Sequence, residues 1–437
     1  MSAPEAGGVA LSRNRNYQLL WTSQVLSGVG LSAAVIAFPL LVLALTGSAA
    51  ASGLVLGAIA AAQLLAGLPA GALADRWDRK TIMISCEAIQ VLAAASLVAA
   101  LWWDVAHVAH LLVVAVVMGV CAALFRPAED ASLARVVPAE QLSMAVALNA
   151  ARGSVAQLSG TAAGGFLFAV ARFVPFAVDA LAHAVACILL ALLRLPPRQG
   201  PPERTRHLVQ EITAGLRWVW GDRHIRVTAL CAVVLNLFFS AFYLIVIVLA
   251  AARGVPSGQI GIMAAMLGVG GLLGAVIAAR LSQLLNPYVS IIAVFWALAA
   301  LTPLAVFLHS GYLLGALFAA MALLPPTANT TIVTRQLLLT PDDLRGRQSS
   351  VLAILTGGAA ALGPALGGLL ASAVSSTVAV LVCAGGIAAA AVVAMLSPTL
   401  RSFPRHPVST AAPDAQPERQ TDPTAPRSIA PSSPKGD

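Results

Sequence analysis

Hydrophobic and polar positions fall in long blocks along this chain rather than alternating with a strand period. Apolar segments run over 18–45, 51–73, 81–103, 108–125, 144–169 and 174–193, and again over 228–251, 259–280, 288–308, 311–334, 348–372 and 376–396. A helix needs about 20 apolar residues to cross the hydrocarbon core of a bilayer, and each segment meets that length approximately. The pattern predicts an all-α membrane protein with twelve transmembrane helices in two six-helix bundles. The first segment is too long for the h-region of a cleaved signal.

Composition strengthens this reading. The 437 residues are 59% hydrophobic and only 10% charged, with a mean hydropathy of +0.87; soluble domains carry about 25% charged residues. The net charge of +8 does not point to nucleic acid, because the basic residues punctuate the apolar blocks and form no patch with interleaved aromatics. With the N-terminus inside, the inner connections hold Arg13, Arg15, Arg76, Arg79, Lys80, Arg126, Arg135, Arg194, Arg198, Arg204, Arg206, Arg217, Arg223, Arg226, Arg280, Arg335, Arg345 and Arg347, and the outer ones only Arg172 and Arg253. The positive-inside rule then puts both termini in the cytoplasm. The expected units are a cytosolic N-terminal tail (1–16), a first bundle (17–193), a cytosolic linker (194–227), a second bundle (228–397) and a disordered cytosolic tail (398–437). Within the linker, Leu208, Ile212, Leu216, Trp218 and Val219 oppose Arg206, Gln210, Glu211 and Arg217. That amphipathic helix either tethers the two halves or lies at the bilayer interface.

The two halves echo one another at an offset of 203. Gly67, Gly71 and Ala72 recur as Gly270, Gly274 and Ala275; Pro138 recurs as Pro341. Gly160, Ala162, Gly164 and Gly165 recur as Gly363, Ala365, Gly367 and Gly368. Small residues at this spacing let helices approach closely, so Gly160, Gly164, Gly165, Gly363, Pro364, Gly367 and Gly368 are expected packing positions. A repeated six-helix unit is an arrangement of alternating-access carriers.

The connection after the second segment reads Gly71-Ala72-Leu73-Ala74-Asp75-Arg76-Trp77-Asp78-Arg79-Lys80. Gly71 permits close packing. Asp75 sits where a carboxylate can bond to a helix N-terminus or to Arg76 and Arg79, a cluster able to lock one state and release another. Arg76, Arg79 and Lys80 could equally serve topology alone. This segment resembles the loop 2–3 signature of the major facilitator superfamily, G-x-L-A-D-R-x-G-R-K/R, with Asp78 in place of the second glycine. It is similar to the macrolide-efflux-like and enterobactin-exporter-like drug:proton antiporter branch. Residues 13–21, Phe125-Arg126-Pro127-Ala128 with Val137-Pro138-Ala139-Glu140, and Leu344-Arg345-Gly346-Arg347 with the 363–368 segment resemble the same branch. Thr161 stands where span 5 usually has proline, and span 4 lacks the intramembrane arginine of many other antiporters. The resemblance implies a gating motif of Gly71, Asp75, Arg76, Arg79 and Lys80, and export of a small molecule.

Ionisable groups inside a span cost about 2.5–3.5 kcal/mol on insertion scales and therefore need a role. Asp179 and His183 lie one turn apart on span 6, able to share a proton; the alternative is a clamp from Asp179 to a neighbouring helix or to Arg172. Glu87 on span 3 is a further proton-coupling candidate, or a structural partner of Arg152. Candidate cavity groups are Gln24, Gln63, Asn149, Arg152, Gln157, Asn236, Tyr243 and Asn329, a sparsely polar set suited to an amphiphile. There is no G-x-x-x-x-G-K-[ST] for ATP, no metal-ligand spacing and no cofactor motif. The chain is therefore expected to be no enzyme. It reads as a monomeric carrier in a bacterial inner membrane, handling a small molecule (drug, antibiotic or other secondary metabolite) and protons among membrane lipids. Siderophore export, a lipid-type carrier or an importer on the same fold are the alternatives.

Overall fold

The computed structural model describes residues 11–195 and 208–402, except for the side chains of Gly71, Ala72, Ala74, Asp75 and a few others. Every regular element among these residues is helical. The first half comprises α1 (Arg15–Thr46), α2 (Ala49–Arg76), α3 (Arg79–Trp102), α4 (Val108–Val136), α5 (Ala139–Val170) and α6 (Val174–Leu192). A linker helix, α7 (Leu208–Gly221), precedes the second half: α8 (Arg223–Ala252), α9 (Ser257–Leu284), α10 (Pro287–Leu301), α11 (Gly311–Ala322), α12 (Pro325–Leu339), α13 (Asp342–Ala373) and α14 (Ser376–Leu396).

Eleven helical stretches are long and apolar enough to span a bilayer. The remaining span is α5, whose Asn149, Arg152, Ser154, Gln157, Ser159 and Thr161 make it too polar for that test. It can be polar because it packs between α1 and α9, inside the bundle. Span 10 is broken into α11 and α12 at Pro325-Pro326, where the missing N–H groups and ring clash prevent a continuous helix. Span 9 ends α10 in a 3-10 turn at Thr302–Val306.

Several expected boundaries shift. Span 4 does not stop at 125, since α4 continues through Pro127 to Val136; this carries Glu129 into the bundle. The N-terminal segment is structured from Leu11, as a 3-10 turn, and α1 opens at Arg15 under an Asn14 cap whose side chain accepts from the Tyr17 N–H. The tail expected to be disordered from 398 instead begins with a helical turn, Pro398–Arg401, which buries Leu400 against the second-half core. Ser397 caps that turn. Residues 1–10, 196–207 and 403–437 lie outside the described residues. The linker helix α7 docks on the second half. Gly215 sits against the Arg347 carbonyl, Trp218 Nε1 donates to Thr340 Oγ1 at 3.3 Å, and Val219 is buried with Ile225 and Val351.

The two halves meet along α2–α13 and α5–α9, and these seams are equivalent. A Cβ on Gly165 would lie 2.3 Å from the Ser257 carbonyl and 2.7 Å from Gly261; one on Gly368 would lie 2.4 Å from the Ala49 carbonyl and 3.0 Å from Gly53. Within each half, Gly164 packs on the Ala33 carbonyl of α1 and Gly367 on the Ala241 carbonyl of α8. These contacts fix the register of the repeat. The offset is 203 for α5 and α13 (Gly164 to Gly367), as the sequence suggests, but 208 for α1 and α8 (Ala33 to Ala241) and for α2 and α9 (Gly53 to Gly261). Gly67 and Gly270 are therefore not equivalent. Gly270 packs on the Ala319 carbonyl, whereas Gly67 meets nothing within 4 Å.

Candidate transport site

Six helices, three from each half, enclose a cavity of about 630 Å³. Helix α1 contributes Leu31, Ser32, Val35, Ile36 and Pro39. From α2 come Leu56, Ile59, Ala60 and Gln63, and from α5 Gln157, Leu158 and Thr161. The second half adds Phe239, Ser240, Tyr243 and Ile247 of α8, Ala264, Ala265, Leu267 and Gly268 of α9, and Pro364 of α13. The lining is mostly apolar, with amide and hydroxyl groups and no charged side chain. Such a wall can hold an amphiphile by area while a few polar groups orient it. Of the candidate cavity groups, Gln63, Gln157 and Tyr243 are on this wall. Ser32, Thr161 and Ser240 were not foreseen, because a lone hydroxyl in an apolar helix carries no pattern. Thr161, in the place usually held by proline, donates to the Gln157 carbonyl at 2.5 Å.

The other cavity candidates lie elsewhere. Arg152 reaches α4, with Nη2 2.8 Å from Glu129 Oε1, and both side chains are about nine-tenths buried. The expected Glu87–Arg152 pair is thereby overturned: the extension of α4 supplies Arg152 with a nearer carboxylate. Asn149 is partly buried with Oδ1 unpaired. Asn236 is exposed and donates to the Ala232 carbonyl of its own helix, and Asn329 is exposed.

Behind α1, away from the cavity, lies a fully buried cluster. His183 of α6 stands between two carboxylates, Glu87 of α3 through Nδ1 and Asp179 of α6 at 3.3 Å from Nε2. All three residues are about 1% exposed. The Asp179–His183 contact lies outside hydrogen-bond geometry; the Glu87–His183 contact is a hydrogen bond. Gln24 of α1 donates Nε2–H to Glu87 Oε1 at 3.3 Å. The i, i+4 spacing made Asp179 and His183 legible, while the arrival of Glu87 from another helix was not. Arg172 is exposed, and Asp179 lies instead against Gly30 of α1. Three ionisable groups in a dry site can hold or release a proton among themselves, because burial makes any unbalanced charge expensive.

The loop-2–3 motif lies at the basic end of the first half. Gly71 and Asp75 belong to the last turns of α2, and their side chains are outside the described residues. Arg76 is exposed. Arg79 Nη1 donates to the Ala131 carbonyl of α4 at 3.0 Å, and Lys80 Nζ to the Ala191 carbonyl of α6 at 2.7 Å. Lys80 thus meets a carbonyl in the last turn of α6, where the dipole favours positive charge, and Arg79 ties α3 to α4 near its C-terminal end. Asp78, the departure from the usual glycine, caps α3 by accepting from the Thr81 N–H at 2.8 Å and the Thr81 hydroxyl at 2.9 Å.

At the far end the seams through Gly165 and Gly368 are shut. Toward the basic end Gly67, Gly153 and Gly271 meet nothing within 4 Å. The cavity therefore sits between a closed end and a looser one.

A family model described as a transmembrane secretion effector matches residues 6–421. The chain is 26% identical over 409 residues to the multidrug efflux pump Tap of Mycobacterium tuberculosis, covering 88% of this chain and 94% of that one. It is 27% identical over 411 residues to Tap of Mycolicibacterium fortuitum, covering 88% and 96%. Among solved structures, a bacterial homologue of the human lysosomal transporter Spinster, inward-facing and unoccupied, superposes with a TM-score of 0.70 at 17% identity, covering 91% of this chain and 98% of that chain. The nucleoside transporter NupG superposes with a TM-score of 0.71 at 13% identity, covering 90% and 100%.

Proposed function

The chain belongs to the transmembrane secretion effector family of the major facilitator superfamily, and from that premise we propose that it exports an amphiphilic small molecule across the cytoplasmic membrane in exchange for protons. The observation that carries this reading is the uncharged, mostly apolar cavity shared by both halves, with a separate buried acid–imidazole cluster beside it. Similarity to the Tap multidrug efflux pumps supports the outward direction and a drug-like cargo. The skewed distribution of arginines supports cytoplasmic termini, which makes the described state open toward the cytoplasm, ready to load.

In this reading the cargo enters from the basic end and fills the cavity. The seams at Gly165 and Gly368 then part as the opposite end closes. Glu87, His183 and Asp179 take up a proton from outside and release it inside, so the reset is driven by the proton gradient. Asp75, with Arg76, Arg79 and Lys80, forms the gate at the cytoplasmic rim, acting as one monomer in the lipid bilayer.

The test is uptake of ethidium into everted vesicles from cells making the protein. Imposing an inside-acid gradient should drive ethidium uptake, and Asp75→Asn at equal expression should abolish it. Failure of a gradient to drive uptake of ethidium or any of a panel of amphiphilic antibiotics removes the proposal.

A further inference from the structure

Helix α1 touches both the buried acid–imidazole cluster and the cavity; among the described residues, no other helix supplies side chains to both. On one side, Ser32 and Val35 line the cavity. On the other, α1 rests on the cluster at two points. Gln24 Nε2 donates to Glu87 Oε1 at 3.3 Å. At Gly30, a Cβ would lie 3.0 Å from each of three atoms, Asp179 Oδ1, Asp179 Cα and Ala182 Cβ. A side chain at this position would require α6 to give way by a few tenths of an ångström.

We propose that α1 is the relay between proton and cargo, with Gln24 and Gly30 as the positioning residues that make it read the cluster. The inference rests on the proton-coupling reading of Glu87, His183 and Asp179 and adds the path from that cluster to the cavity. The physical argument is short. Gln24 holds a carboxylate oxygen of Glu87 with an N–H donor, and a neutral carboxyl accepts that bond more weakly than an ion does. Asp179 lies beside bare backbone at Gly30, so a change in its charge or orientation reaches α1 with no intervening flexible side chain. The same helix carries Ser32 and Val35, and its Val29 and Ala33 carbonyls receive Gly160 and Gly164 of α5. A small shift of α1 is thus passed to the cavity wall and to α5, the helix that forms one of the two seams.

Other titratable groups near the cluster are few. The thiols of Cys86 and Cys187 lie within electrostatic reach of Glu87, and Cys121 of α4 within reach of both Glu87 and His183. On α1 itself Tyr17 faces Arg152, which Glu129 already neutralises. None of these bridges to the cavity.

The experiment is hydrogen–deuterium exchange on the full-length protein in lipid nanodiscs, without cargo, corrected for intrinsic rates and compared between about pH 6 and pH 8. The readout is the protection of the α5–α9 seam segments 160–166 and 257–264. In the wild type it should differ between the two pH values by about 5–150-fold, the range of ordinary inter-site coupling. Asp179→Asn should remove the difference. Gln24→Met, which keeps side-chain length but not the donor, and Gly30→Ala should each remove most of it, with the protection of α6 unchanged. A wild-type pH difference in both Gln24→Met and Gly30→Ala, alongside its loss in Asp179→Asn, overturns the relay and leaves the coupling reading intact. Absence of any pH difference in the wild type, or its persistence in Asp179→Asn, overturns both. Should Gly30→Ala not fold, Gln24→Met decides alone.

Discussion

At the scale of single residues, the charges inside the spans are sorted into two isolated groups. Glu87, His183 and Asp179 form one; Glu129 and Arg152 form the other. The second group is an ion pair between adjacent helices, and removing one partner strands the other in a low-dielectric site, a loss of about 3–5 kcal/mol in buried pairs. Arg152→Met is therefore expected to lower the apparent melting temperature in detergent markedly. Glu129→Gln combined with Arg152→Gln should recover most of that loss, since neither group is then left charged. A melting curve for Arg152→Met that overlays the wild type would show that water reaches the pair. The sequence carried half of this. Arg152 stands out as a charge in an apolar block, and the i, i+4 spacing exposes Asp179 with His183. Glu129 was hidden because proline at 127 suggests a helix end, whereas α4 runs through it. Glu87 was assigned the wrong partner because its true one arrives from α6, a contact that no spacing along the chain encodes.

Among elements, the glycines do not act alike. Those at 53 and 165 are fixed by carbonyls of the opposite half, at 2.2 Å from Pro364 and 2.3 Å from Ser257 for an added Cβ, while Gly153 faces open space. Overpacking of a tight contact costs about 1–3 kcal/mol, and alanine in place of an unconstrained helical glycine gains about 0.5–1 kcal/mol. Gly53→Ala and Gly165→Ala should thus lower the melting temperature, and Gly153→Ala should leave it unchanged or raise it. Equal effects at all three positions would mean that the seams are not closed at that end. The repeat is legible in the sequence where α5 and α13 share Gly160/Gly363 and Gly164/Gly367. It is misread on α2 and α9 because like residues recur there out of register. At the crossing of α2 with α4 the glycine is Gly119, against the Ile59 carbonyl and Ala62; in the second half it is Gly270 of α9, against Ala319. Packing needs one small residue per crossing and is indifferent to which helix supplies it, so sequence identity and structural equivalence part company.

For the whole molecule, the decisive question is which end opens to which compartment. The fold has pseudo-twofold seams closed at the end remote from Arg79 and Lys80, and looser packing at the end that carries them. If the arginine asymmetry sets the orientation, that looser end faces the cytoplasm. Gly153 of α5, exposed and meeting nothing within 4 Å, stands one turn before the cavity-lining Gln157 and then lies in water that communicates only with the inside. A cysteine placed there by Gly153→Cys should react with a membrane-impermeant maleimide in everted vesicles and not in intact cells. Phe166 and Gly258 face one another across the closed seam, where a Cβ on Gly258 would lie 2.8 Å from the phenylalanine ring. Joining the two positions by Phe166→Cys and Gly258→Cys, followed by oxidation, should hold that end shut. Transport should stop, and maleimide labelling at 153 should remain high, with reductant restoring both the movement and the flux. Labelling of 153 only from outside would invert the molecule in the membrane. Undiminished transport in the cross-linked protein would show that the α5–α9 seam need not open, and the two halves would then have to pass their cargo by some motion other than parting along it.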